Sequence, residues 1–258
     1  MTETNLILQV KNISKNFGTV KALCNVSFGL ERGKILGFVG DNGAGKSTLI
    51  KILSGALQLT SGEIYLEGEK VSFKNTADAM KMGIATVYEF QTPQLVDIAK
   101  VWQNFFMGRE RKKGKGLISF LDVEGMKNLT TEAMAKRGHE LDVEREVREL
   151  SGGQRGILFI SRALEADPRI LLLDEPATGL SKRVIDEIFI LLRQAAEGKK
   201  FSIIITSQWF ELIRNLVDEV MVLRRGEIVG RFDAKSASNV EIFKLAMGLT
   251  KPEKLVQV

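Results

Sequence analysis

Apolar runs of strand length punctuate the chain at Leu6 to Val10, Ile35 to Val39, Glu63 to Leu66, Ile84 to Tyr88, Ile170 to Leu173, Ser202 to Thr206, Val220 to Leu223 and Glu227 to Gly230. Each reads as a β-strand, and several alternate with helical spacing. Ile35 to Val39 leads through a Gly-rich turn into Thr48-Leu49-Ile50-Lys51-Ile52-Leu53, whose apolar positions suit a helix lying on a sheet. The runs at 170 to 173 and 202 to 206 are continuously apolar, as central parallel strands covered on both faces must be. Arg224-Arg225-Gly226, between two runs, predicts a hairpin turn. The pattern predicts an α/β fold with an antiparallel β portion.

From about residue 90 to 156 strand signals vanish and helix formers with charged residues take over, interrupted by Arg111-Lys112-Lys113-Gly114-Lys115-Gly116. This predicts a helical insertion with the basic run in an exposed loop. The expected division is an α/β core over 1–88 and 157–236, an α-helical insertion over 89–156 and a C-terminal tail over 237–258. No run is long enough to span a membrane.

Composition then narrows the chemistry. The single His, His139, excludes any site needing two imidazoles from this chain. The single Cys, Cys24, cannot close an intramolecular disulfide, and the N-terminus carries no charged-then-apolar leader, which together suit a reducing, intracellular compartment. The formal charge of +5, from 37 Lys and Arg against 32 Asp and Glu, is spread along the chain, so a solvated surface is expected rather than a nucleic-acid interface. Asn12-Ile13-Ser14 and Asn128-Leu129-Thr130 fit a glycosylation pattern that means nothing in an intracellular chain.

Three motifs carry chemistry. Gly40-Asp41-Asn42-Gly43-Ala44-Gly45-Lys46-Ser47 lies between a predicted strand and a predicted helix and fits the phosphate-loop pattern. Its glycines let successive N–H groups wrap an anion at a helix N-terminus, Lys46 adds a positive charge for β- and γ-phosphates, and the Ser47 hydroxyl can ligate Mg2+. Ile170-Leu171-Leu172-Leu173-Asp174-Glu175-Pro176 is an apolar strand ending in adjacent carboxylates. Neighbouring side chains diverge there, so Asp174 can serve Mg2+ while Glu175 faces an attacking water as general base. Leu150-Ser151-Gly152-Gly153-Gln154-Arg155 precedes a helical pattern from Gly156 to Leu164 and reads as a second anion-binding helix start, or as an ordinary Gly-Gly turn.

In this order and spacing the three motifs resemble those of the ATP-binding subunits of ABC transporters, over nearly the whole chain. Gly40-Asp41-Asn42-Gly43, Glu67-Gly68 with Val71-Ser72-Phe73, Asp78-Ala79 before Gly83-Ile84, Thr86-Val87-Tyr88 and Asn104-Phe105-Phe106-Met107-Gly108-Arg109-Glu110 look most like the ribose/fructose-type monosaccharide importers. The resemblance implies a P-loop NTPase core with an antiparallel β subdomain and an inserted α-helical subdomain, ATP and Mg2+ as cofactors, and Gly40 to Thr48 as the phosphate and metal loop. It implies that Phe17 stacks on adenine, core packing being the other role open to a lone Phe. It also implies that Ser151, Gly152, Gly153 and Gln154 close over an ATP held by another subunit. With each motif present once, a dimer is expected, either with itself or with a related subunit. Further partners are a transmembrane permease docked on residues 89 to 110 and, indirectly, a solute-binding protein, with the chain peripheral on the cytoplasmic side of the membrane.

The chain departs from the family at three positions. The family's Gln after Thr-Val-Tyr is Glu89 here, which can bind a metal but has no N–H to donate; Gln91, two residues on, can take its place after a small shift. The family's γ-phosphate His, in a Ser-His pair, is Gln208 here, whose amide donates one hydrogen bond and cannot become charged. The position after Gly179-Leu180, often Asp, is Ser181. With Lys46, Asp174 and Glu175 retained, hydrolysis is expected to be slowed; a hydrolysis-impaired regulator is the alternative. A DNA-repair ATPase of the same superfamily would need long heptad arms that the chain lacks.

Overall fold

A computed structural model of the chain describes residues 5–88, 95–114, 119–197 and 201–250. The first part runs β1 (Leu6–Phe17), β2 (Val20–Glu31), β3 (Ile35–Val39), α1 (Lys46–Leu53), β4 (Ser61–Leu66), β5 (Glu69–Val71), α2 (Thr76–Lys81) and β6 (Ile84–Val87). There follow α3 (Val101–Phe106), β7 (Lys112–Lys113), β8 (Phe120–Leu121), α4 (Val123–Ala135) and α5 (Gly152–Leu164). The last part contains β9 (Ile170–Asp174), α6 (Lys182–Glu197), β10 (Ser202–Ser207), α7 (Phe210–Ile213), β11 (Glu219–Arg224), β12 (Glu227–Asp233) and α8 (Asn239–Met247).

A six-stranded sheet in the order β12-β11-β3-β10-β9-β6 is parallel except for its β12 edge, and a four-stranded antiparallel sheet has the order β2-β1-β4-β5. Strand parity assigns the two faces of the larger sheet. Leu36, Phe38, Leu172 and Ile204 point into one buried cluster, shared with α1 and the antiparallel sheet. Ile35, Val39, Leu171, Leu173, Ile203 and Ile205 point into the other, shared with Phe105, Met126, Leu158, Ile188 and Ile242 from the helices. Both faces being covered explains why these strands read as unbroken apolar runs.

Three expectations need correcting. β2 and β5 carry no strand signal in the linear pattern, and β1 continues well past Val10. For β1 and β2 the reason is a pair of bulges: Asn12 and Asn25 sit at φ 50° and 49°, and each advances its strand's inward phase by one residue, from Val10 to Ile13 and from Leu23 to Val26. The Ser27 hydroxyl donates to Asn12 Oδ1 and the Ser14 hydroxyl to Asn25 Oδ1, tying one bulge to the other. Third, the segment expected to lack strands holds the short antiparallel pair β7 and β8, with Lys112 and Lys113 of the basic run in β7 and exposed. Within 237–258, α8 buries Ile242, Leu245 and Ala246.

The hairpin turn at Arg225-Gly226 forms as expected, with φ of 48° and 82° between the paired Arg224 and Glu227. Asn104 is fully buried: its side chain accepts from Val96 N at 2.7 Å and donates to Val96 O at 3.0 Å, clasping the segment before α3. Arg109 donates to the carbonyl of Arg162 at 2.8 Å, joining the end of α3 to α5. Among the described residues no helix is long and apolar enough to cross a membrane.

Candidate functional site

The segment Gly40 to Ser47 leaves the carboxyl end of β3 and opens α1. Gly45, at φ 108°, has no alternative residue: a Cβ there would lie 2.7 Å from the Ala22 carbonyl oxygen. At Gly40 a Cβ would fall 2.1 Å from the Leu223 carbonyl oxygen. The loop is also pinned from below, because Gly226 N–H donates to Ala44 O at 2.9 Å and Cys24 N–H donates to Gly226 O at 2.8 Å. The β11–β12 turn and β2 therefore hold the loop in the curl that turns amides toward an anion.

Lys46 is only 4% exposed, and its ammonium donates to Gly40 O at 2.8 Å and Asp41 O at 3.1 Å and pairs with Glu175 Oε1 at 3.1 Å. All three hydrogens of the ammonium are engaged. Asp174, at the end of β9, accepts from Ser47 Oγ at 3.1 Å and from Thr206 Oγ1 at 2.7 Å. Burial pushes the Asp174 carboxyl above its ordinary value; the Thr206 and Ser47 hydrogen bonds and Lys46 pull it back, and Glu175 adds to the rise. Glu175 occupies φ 48°, the left-handed region that a residue with a Cβ adopts only under restraint. Its N–H donates to Thr206 Oγ1 at 3.0 Å, its carbonyl accepts from Thr178 N–H at 3.2 Å, and its Oε2 accepts from the Thr178 hydroxyl at 3.3 Å.

The expected site residues thus fall into two groups. Lys46, Ser47, Asp41, Asp174, Glu175 and Gln208 meet at the carboxyl ends of β3, β9 and β10, with Gln208 Nε2 3.4 Å from Asp41 Oδ1. A hydroxyl beside a buried carboxylate is an all-oxygen donor pair, which fits a hard cation such as Mg2+. Ser151 and Gln154 instead form a closed capping box at the start of α5, Ser151 Oγ accepting from Gln154 N at 3.2 Å and Gln154 Oε1 from Ser151 N at 3.0 Å. Among the described residues no hydrogen bond or ion pair joins 151–154 to 40–48. Phe17, at the end of β1, is 49% exposed beneath the Lys15 ammonium, so it does not pack in the core. Glu89 and Gln91 lie outside the described residues.

Linear reading missed Thr206 and Thr178. Alternation alone puts Thr206 on the same face as Ile204; that its partner on β9 is Asp174 emerges only from the strand register.

The chain matches the ABC transporter family over residues 23–178. It is 38% identical to the galactofuranose transporter ATP-binding protein YtfR of Escherichia coli (strain K12) over 242 residues, 94% of this chain and 47% of that protein. It is 37% identical to the ribose import ATP-binding protein RbsA of Caldanaerobacter subterraneus subsp. tengcongensis over 243 residues, 94% of this chain and 48% of that protein. The chain therefore spans about half the length of the curated relatives it matches. Among solved structures it resembles the ADP conformation of MJ1267, an ATP-binding cassette of an ABC transporter. The TM-score is 0.78 at 26% identity, covering 92% of this chain and 98% of that one.

Proposed function

This chain belongs to the ABC transporter family, and on that premise we propose that it binds and hydrolyses Mg-ATP to energise import of a sugar through a separate permease. The observation that carries the proposal is the meeting of Lys46, Ser47, Asp174 and Glu175 within hydrogen-bonding reach at one end of the parallel sheet. Similarity to proteins named for galactofuranose transport and ribose import supports a sugar as cargo.

The chemistry follows from the donors present. The amides of the 40–47 loop and the start of α1 take the phosphates, and Lys46 exchanges its bond to Glu175 for the β- and γ-phosphate oxygens. Ser47 and Asp174 would hold Mg2+, which supplies charge neutralisation for those oxygens. Released from Lys46, Glu175 accepts a proton from the water that attacks the γ-phosphorus, and ADP is the leaving group. Gln208 donates its amide hydrogen to a γ-phosphate oxygen, and Glu89 is the family position for a second contact. Phe17, exposed at the edge of the antiparallel sheet, offers a face for adenine.

Ser151 to Gln154 are unconnected to the loop of their own chain, which supports their closing over the ATP of a second subunit, identical or related. Exposed Val96 and Ile98 support a permease contact within 89 to 110. The chain would then sit peripherally on the cytoplasmic face of the membrane, with a solute-binding protein on the far side. The division into an α/β core, a helical insertion over 89–156 and a C-terminal segment after 236 belongs to the same reading.

A second reading, a hydrolysis-impaired nucleotide-binding subunit or regulator, rests on Gln208 standing where the family has an ionisable His. Glu175, retained and ion-paired, favours hydrolysis. The test is Mg-ATP affinity and phosphate release in the parent and in Lys46→Ala. Loss of tight ATP binding in Lys46→Ala supports the assignment, and unchanged affinity contradicts it. A parent that binds Mg-ATP and releases no phosphate is the regulator.

A further inference from the structure

Thr206 has no assigned part in the chemistry above, yet its hydroxyl bonds to both members of the carboxylate pair. It is fully buried on β10, the strand between β3 and β9, directly opposite Asp174 in the parallel register. A threonine hydroxyl has one hydrogen and two lone pairs. Here the hydrogen goes to Asp174 Oδ1 at 2.7 Å, and an oxygen lone pair takes the Glu175 N–H at 3.0 Å. The three residues before it, Ile203 to Ile205, are apolar and fully buried, and Thr206 is as deeply buried as they are, so its hydroxyl must find its partners within the protein.

We propose that Thr206 is a positioning residue, whose hydroxyl locks the metal-holding carboxylate and the general-base carboxylate into one fixed relation. The proposal deepens the hydrolytic reading and rests on it. Asp174 and Glu175 are adjacent on the chain, but their side chains must diverge, one toward Ser47 and one toward Lys46. The turn that separates them places Glu175 at φ 48°. A conformation of that kind persists only where surrounding groups hold it. Thr178 holds the Glu175 carbonyl and Oε2, while Thr206 holds its N–H. Without the hydroxyl, Glu175 N–H loses its acceptor and Asp174 loses its nearest donor, so both carboxylates drift together. Catalysis is sensitive to such displacement, whereas phosphate binding by the loop amides and Lys46 is not.

The experiment compares Thr206→Val, which keeps the branched shape and removes the hydroxyl, with Thr206→Ser, which keeps the hydroxyl. Two readouts are taken on the full chain: steady-state ATP hydrolysis, and hydrogen exchange of the Glu175 amide. In Thr206→Val, kcat falls about ten- to a hundredfold with KM for ATP changed less than about twofold. The Glu175 amide exchanges at least about tenfold faster. Thr206→Ser stays within about threefold of the parent in both readouts. Parent-like kcat and amide protection in Thr206→Val would overturn the proposal, as would Thr206→Ser failing as badly as Thr206→Val. If the parent itself hydrolyses no ATP, the hydrolytic reading has failed; amide exchange then still decides whether the Thr206 hydroxyl fixes Glu175.

Discussion

Lys46 faces an exchange when a nucleotide arrives. Its ammonium already serves two loop carbonyls and Glu175, so a phosphate gains it only by displacing protein partners. In the proposed mechanism the same event frees Glu175, which would couple nucleotide arrival to release of the proposed base. Asp174 carries the opposite tension, because burial raises its pKa from the ordinary 3.8. A raised folded-state value means that the folded chain holds this proton more tightly than the unfolded chain. That contribution to stability is fully present below the unfolded value and is lost as pH rises through the folded one. The charged groups facing Asp174 are Glu175, which adds to the rise, and Lys46, which opposes it. In the nucleotide-free chain with chelator, Asp174→Asn should therefore melt a few degrees higher at about pH 8, with the gain shrinking toward about pH 4.5. Thermal melts across that range check it; a gain independent of pH, or a loss, contradicts it. At this scale Lys46, Ser47, Asp174 and Glu175 were legible because their roles follow from adjacency in sequence. Thr206 and Thr178 were not, because their roles depend on strand register and on a turn.

At the scale of elements, the parallel strands and α1 were legible because burial on both faces writes itself into the sequence as apolar runs. β2 and the far half of β1 were not, because the bulges at Asn12 and Asn25 each shift the alternation by one residue and erase the period of two. β5 is short and follows a turn with Glu67 and Gly68 at φ 52° and 85°, leaving too few positions for a pattern. At the start of α5 a structural role and a proposed functional one fall on the same residues. Ser151 and Gln154 cap α5, so Ser151→Ala should cost about 1 kcal/mol and lower the melting temperature by about 2 to 4 °C. Because Ser151 makes no bond to the loop of its own chain, affinity for a fluorescent ATP analogue in dilute protein should be unchanged while phosphate release falls. Weakened nucleotide binding at high dilution would place Ser151 in the site of its own chain and contradict the composite arrangement.

At the scale of the molecule, the large sheet separates two cores and presents the carboxyl ends of β3, β9 and β10 side by side. The helical face carries α5 with Ser151 to Gln154 at its start, and the opposite face carries α1 and the antiparallel sheet with exposed Phe17. The cluster of Lys46, Ser47, Asp174 and Glu175 thus lies apart from Ser151 to Gln154 at the start of α5, which supports the proposed closure against a second subunit. The general outline of this arrangement could be read from the order of three motifs. The anchoring of the loop by Gly226 and Cys24 could not, since it joins segments nearly two hundred residues apart through backbone bonds. The central claim is that this site hydrolyses ATP with Glu175 as base, and phosphate release from Mg-ATP by the parent and by Glu175→Gln tests it directly. The account predicts measurable release by the parent and release at least about a hundredfold slower in Glu175→Gln, with ATP bound as tightly or more tightly because Lys46 has lost its ionic competitor. Equal rates in the two proteins would contradict it.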